Sequence, residues 1–162
     1  MSMLPCTPIL VSACLLGQPV RYDGRAQAIH SSVLLRWQEQ GRVFSYCPEV
    51  AGGLPVPRPA AELQANGQIL TRSGEDVTDA FRRGAAQALT LCLQHGIRLA
   101  LLKARSPSCG NHQIYDGRFR GQLIAGEGVT AALLRRHGIS VYSEFELSEL
   151  EAQLARFDAA LG

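Results

Sequence analysis

The stretch QHGIRLALLKARSPSCG, residues 94–110, joins a helical segment, a short apolar run and a loop with one cysteine. A helical segment stops at Gly96, and the apolar run IRLALLK follows at once. Glycine readily takes the left-handed conformation that ends a helix, and a short run this apolar is typical of a strand covered on both faces. The stretch therefore predicts a helix, then a buried parallel strand, then a loop that carries the single cysteine Cys109.

The same order of helix, glycine and apolar run occurs twice more. HSSVLLRWQEQG ends at Gly41 before RVFSYC, and VTAALLRRHG ends at Gly138 before ISVYSE. With PILVSA in front, four strands alternate with helices, which predicts an α/β fold with right-handed crossovers. We expect one Rossmann-like domain over residues 1–162, with a mainly parallel sheet flanked by helices.

Smaller elements interrupt this alternation. EVAGGLPVPRPAAEL contains Pro55, Pro57 and Pro59, which predicts a stiff extended connector rather than a helix. Two turn dipeptides, Asn-Gly at 66–67 and Asp-Gly at 116–117, predict short hairpins. Apolar residues at helical spacing predict a C-terminal helix over residues 147–161.

Composition excludes several classes of protein. The 162 residues are 46% hydrophobic and 19% charged, with a formal net charge of +2, so nucleic acid is not an expected partner. No apolar run reaches the roughly 18 residues of a membrane span. The N-terminus lacks a basic segment, and Pro5 and Pro8 interrupt it, so we expect no signal peptide and a cytoplasmic protein. The expected assembly is a monomer or a homodimer that binds a small molecule.

The cysteines fall into two groups. Five is an odd number and none form a CxxC motif, which argues against a disulfide framework or a thioredoxin-type pair. Cys14, Cys47 and Cys109 follow predicted strands, and the carboxyl ends of parallel strands meet at one edge of a sheet, so these thiols can converge. Cys92 lies on an apolar helix stripe and is expected in the core, and Cys6 is incidental in the N-terminal tail.

Three converging thiols favour a metal centre with an open position. A closed structural zinc site takes four ligands, so the alternatives are an open zinc site or a four-iron cluster with one free iron. His30, His95, His112 and His137 could complete a zinc site, and His112, which closely follows Cys109, is the one plausible ligand, although it is also typical of a solvated loop. His95 and His137 end helices, where they stabilise the helix dipole.

Several long motifs, taken in order, resemble the thiouracil desulfurase family. They are VSACLLGQPVRYDG, CPEVAGGLPVPRPAAE, GEDVTDAFRRGAAQAL, LLKARSPSCG and IYDGRFRG followed by GEGVTAALLRRHGISVYSE, and they span about residues 9–144. The resemblance implies an enzyme with an oxygen-sensitive 4Fe–4S cluster on Cys14, Cys47 and Cys109. It also implies a thiolated nucleobase, such as 2-thiouracil, whose sulfur binds the open iron while water attacks the ring carbon, giving uracil and sulfide without net electron transfer.

This chemistry requires a proton-transferring group near the cluster. Glu49, two residues after Cys47, is the first candidate, and its alternatives are a solvated carboxylate or a partner for Arg58. Ser106 is a second catalytic candidate, and Ser108 is a candidate substrate contact. Both serines are equally compatible with simple turn formation.

Further substrate contacts are expected in a repeated motif. YDGR occurs at residues 22–25 and 115–118, and Asp23 with Arg25, or with Arg21, is a candidate for the mouth of the site. The alternative is that both copies are ordinary Asp-Gly turns. Gly110 is expected to let the backbone approach the cluster, while Gly126 and Gly128 precede a helix as a plain turn or an anion cradle.

Two other functions remain open from the sequence. One is a zinc hydrolase that uses the three cysteines. The other is an iron–sulfur protein without catalysis, acting as a sensor or a sulfur carrier.

Overall fold

A computed structural model describes residues 6–19, 21–25 and 31–161. The first residues of the N-terminal tail, at 1–5, and the candidate zinc ligand His30 lie outside the described residues. The elements are, in chain order, β1 Ile9–Ser12, α1 Ser32–Glu39, β2 Val43–Tyr46, α2 Pro48–Ala51, β3 Ala61–Leu63, β4 Ile69–Thr71, α3 Thr78–His95, β5 Leu99–Leu101, β6 Gln113–Tyr115, β7 Leu123–Ala125, α4 Val129–Arg136, β8 Ser140–Tyr142 and α5 Leu147–Leu161.

The four predicted apolar runs form one parallel sheet in the order β2-β1-β5-β8. The side chains of β1 alternate between its faces, as the twofold period of a strand requires. Ile9 and Val11 pack against α1 and α5, whereas Leu10 packs with α3 and α4. Helices therefore cover both faces, and the predicted α/β class with its parallel sheet is confirmed.

The predicted hairpins and the C-terminal helix are also present. β3 pairs antiparallel with β4 across Asn66-Gly67, and β6 pairs antiparallel with β7 across the loop that contains Asp116-Gly117. Helix α5 buries Leu150 and Leu154, while Leu161 at its end is 53% exposed. No helix among the described residues is long and apolar enough to span a membrane.

The segment EVAGGLPVPRPAAEL, which begins at Glu49, is predicted to be extended and to contain no helix. This prediction is wrong for its first residues. A single helical turn, α2, occupies Pro48–Ala51, and residues 52–60 form no further helix or strand. Pro48 is the first helical residue, where its fixed φ favours the helix and its missing N–H costs nothing. The proline pattern therefore predicts the extended part correctly and misses the turn that carries Glu49.

Candidate functional site

A cavity of about 430 Å³ opens at the carboxyl edge of the sheet, and Cys14, Cys47 and Cys109 all line it. Cys14 lies in a short 3-10 turn directly after β1, and Cys47 directly follows β2. Cys109 lies in the loop after β5, and its thiol is almost fully buried. The three strand ends thus bring the three thiols to one cavity, whereas Cys92 is fully buried on α3 within the core.

The loop that carries Cys109 is fixed by its own hydrogen bonds. The hydroxyl oxygen of Ser106 accepts hydrogen bonds from the backbone N–H groups of Ser108 and Cys109, both at 3.0 Å. The N–H of Gly110 donates to the carbonyl of Ser106 at 2.9 Å. These bonds close one tight turn that holds Cys109 at the cavity wall.

The N-terminus of α4 braces the same loop. The N–H of Val129 donates to the carbonyl of Pro107 at 2.9 Å, and the N–H of Thr130 donates to that of Ser108 at 2.8 Å. A Cβ at Gly128 would collide with the Ser108 carbonyl, so only glycine permits this approach. Because loop carbonyls take these amide protons, the helix end serves as a brace and not as an anion cradle.

Gly110 lies where the loop that carries Cys109 packs closely on itself. It does not line the cavity, and an added Cβ would lie 2.8 Å from the carbonyl oxygen of Gln113 and 2.9 Å from that of Ser106. The glycine is required by the close packing of the loop on itself.

Helix α2 is held in place by its crossing with α3. A Cβ at Gly52 would collide with the carbonyl of Ala80, and a Cβ at Gly84 with that of Pro48. The hydroxyl of Tyr46 donates to the carbonyl of Gly84 at 3.0 Å and so ties β2 to the same crossing. The crossing fixes Cys47 and Glu49 at the edge of the cavity.

Glu49 lines the cavity and pairs with a buried cation. Its carboxylate lies 3.5 Å from Nε of Arg58, whose side chain is 4% exposed and also donates to the carbonyl of Pro55 at 3.1 Å. Burial raises the pKa of Glu49 above its usual range, and the Arg58 guanidinium opposes that rise. Glu49 is therefore both a partner of Arg58 and a carboxyl group with increased proton affinity that faces the cavity.

Without a bound metal, the three thiols are poor acids. Burial raises the pKa of Cys14 to about 11, and it also raises the pKa values of Cys47 and Cys109. Metals bind the thiolate form, so loading the site must release protons. The cavity wall supplies compensating positive charge through the cationic side chains of Arg21, Arg58, Arg72, Lys103 and Arg105.

Three of the predicted substrate contacts do not line the cavity. Ser108 is fully buried, and its hydroxyl hydrogen-bonds to that of Thr130 at 2.7 Å. Asp23 accepts a hydrogen bond from the backbone N–H of Arg25 at 3.0 Å, within the turn that the motif forms. The side chains of Ser108 and Asp23 thus hold their own loops together, and Arg25 takes part through its backbone N–H.

The two YDGR copies are similar turns at the same cavity. In the second copy Asp116 accepts from the N–H of Arg118 at 2.9 Å, as Asp23 does from Arg25 in the first. Tyr22 and Tyr115, the first residues of the two copies, both line the cavity. The repeated motif therefore marks the site, although through its tyrosines and not through its aspartates.

Several further residues line the cavity that the sequence patterns did not identify. Arg105 and Phe119 line the cavity with positive φ angles of 71° and 55°, a conformation that costs energy outside glycine and that clusters at functional sites. Lys103 also lines it, and its position directly after the apolar run of β5 is a signal that could have identified it. His112 does not line the cavity, because its exposed ring pairs with Glu146 at 3.1 Å.

The donor atoms and the size of the cavity distinguish between metal centres. Within the described part of the chain, no set of three or more His, Cys, Asp or Glu side chains converges closely enough to hold a metal ion. A single zinc ion needs its ligands around one point, whereas each cysteine of a four-iron cluster bonds a different iron. The three soft donors around one roomy cavity therefore fit a 4Fe–4S cluster better than a zinc ion.

Comparisons with known proteins agree with this geometry. The family model described as 2-thiouracil desulfurase matches residues 9–146. An uncharacterized protein of Bacillus subtilis strain 168, YbbK, is 40% identical over 151 residues, which is 88% of this chain and 99% of that protein. The solved structure of a 4Fe-4S-dependent thiouracil desulfidase, TudS, is 59% identical with a TM-score of 0.90, covering 92% of this chain and 98% of that one.

Proposed function

The chain belongs to the 2-thiouracil desulfurase family, and we propose that it hydrolyses the carbon–sulfur bond of thiolated nucleobases such as 2-thiouracil. The products are uracil and sulfide, because the oxygen of water replaces sulfur on the ring carbon without electron transfer. The observation that carries the proposal is the set of three thiols from three strand ends around one cavity, beside the carboxyl group of Glu49, whose side chain is 20% exposed.

A 4Fe–4S cluster would be held by Cys14, Cys47 and Cys109. When bound, the cluster supplies an iron without a protein ligand, a Lewis acid to which a soft thiocarbonyl sulfur can bind. The cationic side chains around the cavity offset the negative charge that three thiolates bring. The cavity of about 430 Å³ that the three thiols line supports this cofactor over the alternative of a three-cysteine zinc hydrolase.

Glu49 is proposed as the general base. Its carboxylate accepts a proton from the water that attacks the ring carbon, and it returns a proton to the departing group. Burial increases its affinity for that proton, and the ion pair with Arg58 fixes the direction in which the carboxylate faces. A more acidic, solvated carboxylate would be a weaker base for this step.

Ser106 is proposed as a hydrogen-bond donor to the substrate ring. Two backbone N–H groups donate to its oxygen, so the hydroxyl proton is directed away from them, and the residue lines the cavity. Ser108, Asp23 and Arg25 are proposed to act indirectly, by holding the loops that carry Cys109 and Tyr22.

We also propose that the protein acts in the cytoplasm, as a monomer or a homodimer, without nucleic acid. None of the five cysteines, all of which lie in the described part of the chain, forms a disulfide, which suits a reducing compartment. The net charge of +2 is too small to attract a long polyanion. Size-exclusion chromatography with light scattering tests the assembly, and a 260 nm absorbance excess in the purified protein would contradict the absence of nucleic acid.

The decisive experiment is anaerobic purification and cluster reconstitution, followed by iron, zinc and sulfide analysis and a turnover assay. We expect a brown protein with about four irons per chain that releases sulfide from 2-thiouracil or 4-thiouracil. A colourless, zinc-loaded protein would support the hydrolase alternative. A protein that binds the cluster but releases no sulfide would contradict the catalytic proposal and support a sensor or a sulfur carrier.

A further inference from the structure

Ser12 is a buried hydroxyl group between two of the loops that form the site. It is the last residue of β1, two residues before Cys14, and it is 3% exposed. Its oxygen accepts a hydrogen bond from the backbone N–H of Lys103 at 2.9 Å, and it lies 3.8 Å from Sγ of Cys109. One side chain therefore links the end of β1, the segment after β5 and the loop that carries Cys109.

The direction of the hydroxyl proton follows from these two contacts. A peptide N–H can only donate, so the contact with Lys103 uses a lone pair of the Ser12 oxygen. The proton is then left to point toward the sulfur of Cys109, at a distance suited to a large sulfur acceptor. Such a bond is charge-assisted once that sulfur is a thiolate.

The side chain of Lys103, whose backbone N–H contacts Ser12, is engaged with other groups. The ammonium group of Lys103 lies 2.8 Å from the carboxylate of Glu144, whose side chain is 8% exposed, so this cation is held by that carboxylate. The carboxylate of Glu144 also accepts a hydrogen bond from the N–H of Ala104 at 2.7 Å, which fixes the pair in place. The Ser12 hydroxyl remains as a short-range donor directed at the ligand sulfur.

We propose that Ser12 is a positioning residue for the Cys109 ligand, one whose hydroxyl group donates a hydrogen bond to the ligand sulfur and withdraws electron density from it. The inference rests on the proposed 4Fe–4S function. It adds a residue that is neither a cluster ligand nor a proton-transferring group. Hydrogen bonds to cluster sulfurs stabilise the more negative, reduced state and so raise the reduction potential. Loss of the hydroxyl should therefore make the cluster harder to reduce.

The test compares the full-length, anaerobically reconstituted wild type with Ser12→Ala, Ser12→Thr and Ser45→Ala. Ser12→Thr keeps the hydroxyl group. Ser45→Ala makes the same chemical change at an exposed position on the adjacent strand β2, where Ser45 lies opposite Val11 and outside the cavity lining. Iron and sulfide contents are measured first, and the reduction potential is then determined by a titration followed by electron paramagnetic resonance.

We expect Ser12→Ala to shift the potential to more negative values, while Ser12→Thr and Ser45→Ala match the wild type. A fully loaded Ser12→Ala protein with the wild-type potential would overturn the inference and leave the proposed function intact. A wild type that binds neither iron nor sulfide would overturn both. If the alanine variant does not fold, Ser12→Gly serves as the hydroxyl-free variant and is judged by the same shift.

Discussion

The carboxylate of Glu49 lies 3.5 Å from Nε of Arg58, with the two side chains 20% and 4% exposed. Arg58 is also held by the chain around it, since its backbone N–H donates to the carbonyl of Tyr22 at 2.6 Å and its guanidinium donates to that of Pro55. The arginine is thus a fixed support, and Glu49 can move little relative to the cavity. A proton acceptor fixed in this way needs no reorganisation when water attacks the substrate.

Glu49→Gln should leave the cluster bound and remove most of the activity. Glutamine has the same size and can accept a hydrogen bond from Arg58, but it cannot take a proton from water. We expect iron and sulfide contents like those of the wild type and a single-turnover rate lower by about 10²–10⁴-fold. The control is Glu151→Gln, which removes an exposed carboxylate paired with Arg36 on the surface. Near-normal turnover in Glu49→Gln would remove this residue from the mechanism.

Cysteine-to-alanine variants should separate ligands from core residues. Cys14→Ala, Cys47→Ala and Cys109→Ala each remove a cavity thiol, so we expect none of them to retain a stable cluster. Cys92→Ala lies in the core between α3 and the sheet, where loss of one sulfur atom costs about 1 kcal/mol and leaves iron binding largely intact. Iron per chain and visible absorption after anaerobic reconstitution measure this, and equal loss in all four variants would contradict the division.

The convergence of the three thiols could be predicted because it follows from topology. Once PILVSA, RVFSYC and IRLALLK are parallel strands, the cysteines that follow them must lie at one edge. The direction in which each side chain points could not be predicted in this way. Ser108 turns toward Thr130 because α4 packs against its loop, which is a contact across 22 residues.

The roles of Ser12 and of α2 depend on contacts that are distant in sequence. Ser12 meets the N–H of Lys103 across 91 residues, and nothing in the local pattern VSAC indicates that partner. The turn α2 forms where Gly52 and Gly84 let two helices approach closely. Local propensity, dominated there by prolines, predicts an extended chain instead.

Gly84→Ala should lower both the stability of the protein and its turnover, although Gly84 lies outside the cavity lining. In an exposed helix interior, replacing glycine with alanine stabilises by up to about 1 kcal/mol. At this position the new methyl group meets the carbonyl of Pro48, and we expect a net loss of about 3 kcal/mol. Because α2 must shift, turnover should fall further than cluster content.

Denaturant unfolding measures the loss of stability, and activity assays measure the loss of turnover. The control is Gln87→Ala, an exposed position of the same helix, which should change stability by less than about 0.5 kcal/mol. Unchanged stability of Gly84→Ala would contradict this prediction, because it would mean that α2 and α3 can move apart without cost.

Asp158 should make stability depend on pH in the acidic range. It accepts hydrogen bonds from the N–H of Thr7 at 2.8 Å and from the guanidinium of Arg42 at 3.0 Å, and Arg42 is 6% exposed. Burial raises the pKa of Asp158, but the bonds from Arg42 and Thr7 outweigh it, and the net pKa is lowered. A lowered pKa in the folded state contributes stability that is present above the unfolded pKa of about 3.9 and is lost as pH falls toward the folded value.

Asp158→Asn should therefore be less stable than the wild type at pH 7, and the difference should shrink as the pH approaches 3. We expect a loss of about 1–2 kcal/mol at pH 7, discounted because the carboxylate is 32% exposed. Urea unfolding of the cluster-free protein at several pH values measures this difference. Glu151→Gln, on the same helix and in an exposed ion pair with Arg36, is the matched control and should change stability by less than about 0.5 kcal/mol at each pH. A constant difference between Asp158→Asn and the wild type from pH 7 to pH 3 would contradict the assignment, because an uncharged asparagine cannot reproduce the titration that the ion pair with Arg42 imposes.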